Sequence, residues 1–168
     1  ALEDDAVAVF SRNSSTGALT YVEMHKDGVG GVDGLDGATS VTVNPDGNHV
    51  YVTGTIDDAV AVFSRNASTG ALTYLEMHKD GVGGVDGLDA ASSVTVSPDG
   101  NYVYAAGIDD DAVAVFSRNA STGALTFAEW HKDGVGGVDG LDGARSVTVS
   151  ADGNHVYAAG SLDDAVAV

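Results

Sequence analysis

Asp4-Asp5-Ala6-Val7-Ala8-Val9-Phe10-Ser11-Arg12-Asn13 recurs whole from Asp57 and from Asp110, and its first six residues recur once more from Asp163. The step is 53 residues each time. Residues 4–56 and 57–109 agree at 43 of 53 positions, and 57–109 differs from 110–162 at nine. One such unit cannot bury its own apolar face, so stacked neighbours must supply the core. The repeat therefore decides the architecture before any single motif does.

Each unit reads as four short strands. Ala6 to Ser11 is a run of Ala, Val and Phe with no polar face, which suits a strand covered on both sides. The turn cluster Asn13-Ser14-Ser15-Thr16-Gly17 precedes a returning strand from Ala18 to Met24. Ser40-Val41-Thr42-Val43 alternates with period two, Pro45-Asp46-Gly47-Asn48 is a turn, and His49-Val50-Tyr51-Val52 is its partner strand. No helical period occurs, so the chain is expected to be all-β. Four antiparallel strands per 53-residue unit, apolar on both faces, point to the blades of a β-propeller, about three per chain. A parallel β-helix is the alternative, but its coils are shorter and need no pair of tight hairpins.

The stretch Ser93-Val94-Thr95-Val96-Ser97-Pro98-Asp99-Gly100-Asn101-Tyr102-Val103-Tyr104 resembles the blade motif of the YVTN and lactonase-like β-propellers. Val50-Tyr51-Val52-Thr53 is similar again, and Asp57 to Phe63 with Ser68-Thr69-Gly70-Ala71-Leu72 resembles that family's third and fourth strands. The resemblance runs along the whole chain; Ala151 in the third unit departs from it by replacing the turn proline. It implies an innermost strand a at 40–44, b at 49–54, c at 57–63 and d at 71–77. Blades then span 38–77 and 91–130, with 4–24 and 144–168 as complementary partial blades of a single repeat domain, 1–168. The resemblance also implies a possible sugar-lactone hydrolase, although one blade type serves enzymes, binding modules and scaffolds alike.

Composition excludes several classes. Among the 168 residues, 25 acidic and 7 basic side chains give a net charge of −18, which repels nucleic-acid backbones and attracts cations. No apolar run approaches a bilayer span, so no membrane insertion is expected. With no cysteine there are no disulfides, thiolate metal sites or thiol catalysis. At 43% apolar and 19% charged, the chain has enough core-forming residues to fold. The start at Ala1 and the partial fourth copy at 163–168 suggest a processed chain or a piece of a longer array.

The most distinctive segment is Lys26-Asp27-Gly28-Val29-Gly30-Gly31-Val32-Asp33-Gly34-Leu35-Asp36-Gly37, nearly unchanged at 79–90 and 132–143. It joins strand d to the next strand a, on the same face as Asp57-Asp58 and Asp109-Asp110-Asp111. Asp27, Asp33, Asp36, Asp80, Asp86, Asp89, Asp133, Asp139 and Asp142 are accordingly candidate ligands for calcium, which takes six to eight oxygens. Their spacing departs from known calcium loops. The other reading is a turn-rich connection in which Asp caps backbone amides and Val29, Val32 and Leu35 plug the junction.

Three further sets stand out. His25, His78 and His131 end strands before Lys-Asp and are expected at a polar rim, with a ligand role as the alternative. Tyr51, Tyr104, Tyr157 and Trp130 are expected to pack between blades. Asn13, Asn66 and Asn119 each open an N-x-S sequon in the c–d hairpin, glycosylation sites if the protein is exported.

Hydrolysis needs unlike groups converging, and three near-identical units supply like ones. The nucleophile elbow, zinc helix and phosphate loop motifs are absent. The residues alone thus favour a non-enzymatic structural repeat, extracellular or on a cell surface. Its chains would join head-to-tail by strand complementation into a ring or filament. A ligand- or calcium-binding propeller module and a lactonase-like hydrolase are the alternatives.

Overall fold

The computed structural model describes residues 4–168, and among them thirteen strands and no helix form. In chain order the strands are β1 (Ala6–Arg12), β2 (Leu19–Lys26), β3 (Ala38–Val43), β4 (His49–Gly54), β5 (Ala59–Arg65), β6 (Leu72–Lys79) and β7 (Ala91–Val96). They continue with β8 (Tyr102–Gly107), β9 (Ala112–Arg118), β10 (Leu125–Lys132), β11 (Ala144–Val149), β12 (Val156–Gly160) and β13 (Ala165–Ala167). They make four antiparallel meanders: β1-β2, β3-β4-β5-β6, β7-β8-β9-β10 and β11-β12-β13. Among the described residues no helix is long and apolar enough to cross a membrane.

Strand c begins later than the sequence suggested, at Ala59 rather than Asp57. Asp58 lies in the left-handed region at φ 53°, as do Asp5, Asp111 and Asp164, and that turn delays the extended backbone. The c–d hairpins are built alike. Asn66 Oδ1 accepts from the amides of Ser68 and Thr69 at 2.9 and 3.1 Å, and Asn13 and Asn119 repeat the pattern. The three Asn are exposed and act here as turn caps.

Stacking of sheets produces the core, and β5 shows how. Its alternate residues face opposite neighbours, the period of two imposed by the pleat. Ala61 and Phe63 pack back against Val7, Val32 and Leu35 of the preceding sheet and loop. Val60 and Val62 pack forward with Tyr51 against Val94, Val103 and Phe116. A third cluster, with Ala106, Val113, Leu141 and Val147, joins the last two sheets. Phe63 and Tyr74 meet edge-on at 5.6 Å, as do Phe116 and Phe127; each such pair adds about 0.5–1.5 kcal/mol beyond its buried area.

The acidic connections dock on the same scaffold. Val32 and Leu35 are buried as plugs, while Val29 is exposed, because only the second half of the loop lies beneath strand ends. Gly54, Gly107 and Gly160 end the second strand of the last three meanders where a Cβ would stand 2.5–2.6 Å from the carbonyl oxygen of Gly34, Gly87 or Gly140. Only glycine fits there.

Candidate functional site

β3, β7 and β11 contact one another across the sheets and are therefore the inner strands. Their N-terminal ends lie beside the acidic loops and the connections after β4, β8 and β12. The site is built from these three pieces.

The carboxylates are first of all structural. Asp27 Oδ1 accepts the Leu35 amide at 3.0 Å, and Asp80 and Asp133 repeat this with Leu88 and Leu141. Asp33 Oδ1 accepts from Gly34 and Asp86 Oδ1 from Gly87. The Asp-Asp pairs clip sheets together: Asp57 Oδ2 holds the Asp36 amide at 2.9 Å, while Asp58 Oδ1 reaches the Ala90 amide at the start of the next sheet, also 2.9 Å. Asp110 and Asp111 do the same for Asp89 and Gly143.

These bonds draw carboxylates into three trios whose oxygens lie within 4.8 Å of one another: Asp27, Asp33 and Asp57; Asp80, Asp86 and Asp110; Asp133, Asp139 and Asp163. Asp36, Asp89 and Asp142, expected as ligands from sequence, fall outside the trios and offer their amides instead. Asp57, Asp110 and Asp163 take their place. The register between two distant loops decides this, and a spacing count within one loop does not contain it. Burial first, then the carboxylates of Asp110 and Asp86, push the Asp80 carboxyl above its usual range against the Leu88 amide. Lysines offset part of this charge: Lys79 Nζ lies 3.8 Å from Asp57 Oδ1 and Lys132 Nζ 3.4 Å from Asp110 Oδ1.

His25 and His78, each about a fifth exposed, stand at the edge of the sheet junctions: His25 meets the Phe63 ring at 5.6 Å and His78 that of Phe116 at 5.5 Å, and each also bonds the glutamate two residues before it. His131 is half exposed, with Glu129 beside it. The tyrosines divide as well: Tyr51 is fully buried, whereas Tyr104 and Tyr157 are half-buried. The β-carbon of Trp130 sits 3.2 Å from where a Cβ on Gly87 would lie, so this side chain starts against the preceding acidic loop, as Met77 does at Gly34.

Two of the positions that break the repeat lie at the inner strand ends. Thr39, Ser92 and Arg145 share one repeat position, and Thr55, Ile108 and Ser161 another. Thr55 Oγ1 donates to the Ala91 carbonyl at 2.8 Å, and Thr39 Oγ1 lies 2.9 Å from Thr55 Oγ1. Ser92 Oγ donates to the carbonyls of Ala144 and Arg145, at 3.3 and 3.2 Å. Arg145 Nε donates to Ser161 Oγ at 3.0 Å, with the side chain exposed. Hydroxyls at the inner strand ends of the two four-stranded sheets are thus followed by one guanidinium in the last sheet. Arg145 is legible in the sequence through the repeat, since it stands where Thr39 and Ser92 stand in the other units.

The sequence profile of the family described as Lactonase, 7-bladed beta-propeller, matches residues 3–133 and again 32–168. The chain belongs to this family. Among solved structures of the same fold, a Bacteroides uniformis protein assigned as a 6-phosphogluconolactonase is 20% identical, with a TM-score of 0.76 over 97% of this chain and 43% of that one. A Bacteroides fragilis counterpart is 23% identical, with a TM-score of 0.75 over 96% and 43%. The periplasmic gluconolactonase of Pseudomonas aeruginosa is 25% identical, with a TM-score of 0.63 over 77% and 34%. The chain therefore spans less than half the length of these relatives. A comparison with curated proteins finds no match.

Membership in the lactonase family overturns the expectation of a non-enzymatic, structural repeat whose function is head-to-tail assembly. That expectation took near-identity of the units to mean identical chemistry at every blade. Some of the positions that differ, among them Arg145 and Ser161, lie at the inner rim, and others lie on the second and fourth strands and in the hairpin turns.

Proposed function

We propose that this chain contributes about three blades to a lactonase-like hydrolase, which opens a sugar lactone with water at the inner rim. One observation carries the reading: the lactonase family profile matches along nearly the whole chain. The exposed Arg145 at the inner rim, three residues after Asp142 of the acidic loop, supports the following assignment of roles. Water attacks the lactone carbonyl carbon, and the Arg145 guanidinium stabilises the negative charge that develops on the carbonyl oxygen. A carboxylate of the adjoining loop, Asp142, accepts the water proton. The acyl–oxygen bond of the ring then breaks, and the ring oxygen takes that proton back from Asp142 to leave as the hydroxyl of the hydroxy acid. Base consumption at constant pH with a gluconolactone, corrected for spontaneous opening, tests the reading. Arg145→Ala is expected to lower the catalysed rate on the order of 100-fold.

The trios favour a second reading, a calcium ion at each, because three clustered carboxylates attract a hard cation. Millimolar calcium is expected to raise the melting temperature and a chelator to reverse the rise. Equal melting in both would remove the ion from the account.

A further inference from the structure

The junction between β3–β6 and β7–β10 contains a buried polar group that neither the core nor the inner rim uses. Arg118, at the end of β9, has a side chain only 1% exposed. Its Nε donates to Tyr51 Oη at 2.6 Å, Nη1 to the Gly100 carbonyl at 2.8 Å, and Nη2 lies 2.8 Å from His49 Nδ1. Tyr51 Oη donates onward to the Gly123 carbonyl at 3.0 Å. The His49 ring lies so flat on the Gly123 turn that a Cβ there would stand 2.1 Å from the ring. His49 and Tyr51 belong to β4, whereas Arg118 and Gly123 belong to the next sheet, so every one of these contacts except that to Gly100 crosses the junction.

The bonding pattern fixes the proton. A guanidinium only donates, so His49 Nδ1 must accept, while the ring also bonds the Thr122 backbone. The imidazole is therefore neutral in the closed junction. The charged and titratable groups around it are Arg118 from β9, Tyr51 on its own strand and Asp46 in the β3–β4 turn. Asp46 Oδ2 is 3.5 Å from Arg118 Nη2. A proton on Nδ1 would remove the acceptor and set two cations side by side, with this one carboxylate as counter-charge. The repeat does not build the same group elsewhere among the described residues. Arg65 keeps the bond to Gly47 O, but the sheet before it has only β1 and β2; Tyr102 stands where His49 does in the next unit.

We propose that His49, Arg118 and Tyr51 form an acid-released clasp between the second and third sheets, closed while His49 is neutral and opened by its protonation. Burial first, then the Arg118 charge, holds the His49 pKa below its ordinary 6.5. The folded junction thus binds its proton less readily than the unfolded chain. The clasp's contribution is complete above pH 6.5 and is lost as pH falls through the lowered value.

Two amides read the junctions separately. Leu125 N donates to Glu76 across the clasped junction, and Leu72 N donates to Glu23 at the repeat-equivalent one. Between pH 7.5 and 5, protection of the Leu125 amide against hydrogen exchange is expected to fall on the order of tenfold more than that of Leu72. His49→Asn keeps an acceptor near Nδ1 without a titrating group, and should abolish the difference. Should that variant not fold, ring NMR of the unaltered chain decides: His49 is expected to titrate below the ordinary 6.5 of an imidazole. Parallel loss at both amides, or a His49 ring titrating at or above 6.5, would overturn the clasp.

Discussion

Phe10, Phe63 and Phe116 occupy one repeat position and have different surroundings. Phe116 is fully buried under His78 and the second sheet, while Phe10 is 50% exposed on the outer face of β1. Phe116→Ala is therefore expected to cost about 3–5 kcal/mol by chemical denaturation. Phe10→Ala should cost less than about 1 kcal/mol, since little burial is lost. Equal costs would mean that the first sheet's outer face is covered in solution. Identical residues in a repeat carry different energies because a neighbouring sheet, not the local strand, supplies the burial. The clasp obeys the same logic: His49 is buried against Arg118, and His155 at the equivalent position is not.

The acidic loops show what a connecting element can and cannot disclose. Their Asp side chains hold backbone amides in place, and the trios this creates leave like charges close together. Asp80→Asn keeps an oxygen for the Leu88 amide and removes one charge. Because the Asp80 pKa is raised, its ionised form costs stability above the usual carboxylate range. The variant is expected to melt about 1–3 °C higher at pH 7.5, in scans without divalent ions, and a lower melting point would show that the charge is needed. The strands themselves were legible, since Val-Ala alternation and Asn and Gly turns are local signals. The start of β5 was not, because the left-handed Asp58 looks like any other residue before an apolar run. Nor was the trio membership of Asp57, or the seat of His25 on Phe63; both join residues from different hairpins through the stacking of sheets.

Across the whole molecule, a 53-residue repeat and two-faced strands lead to stacked antiparallel meanders, and the family profile agrees with them. The function was read wrongly from the same repeat, because similarity among units drew attention away from the positions that break it. The proposed chemistry is placed at the inner rim, on Arg145, which has Thr39 and Ser92 at its repeat position. The most direct measurement is gluconolactone opening by the 168-residue chain, followed at constant pH beside Arg145→Ala, with both melting temperatures recorded. A rate above spontaneous opening, lost in a variant that melts with the parent, is the predicted result. A folded parent chain that opens the lactone no faster than buffer would contradict the account.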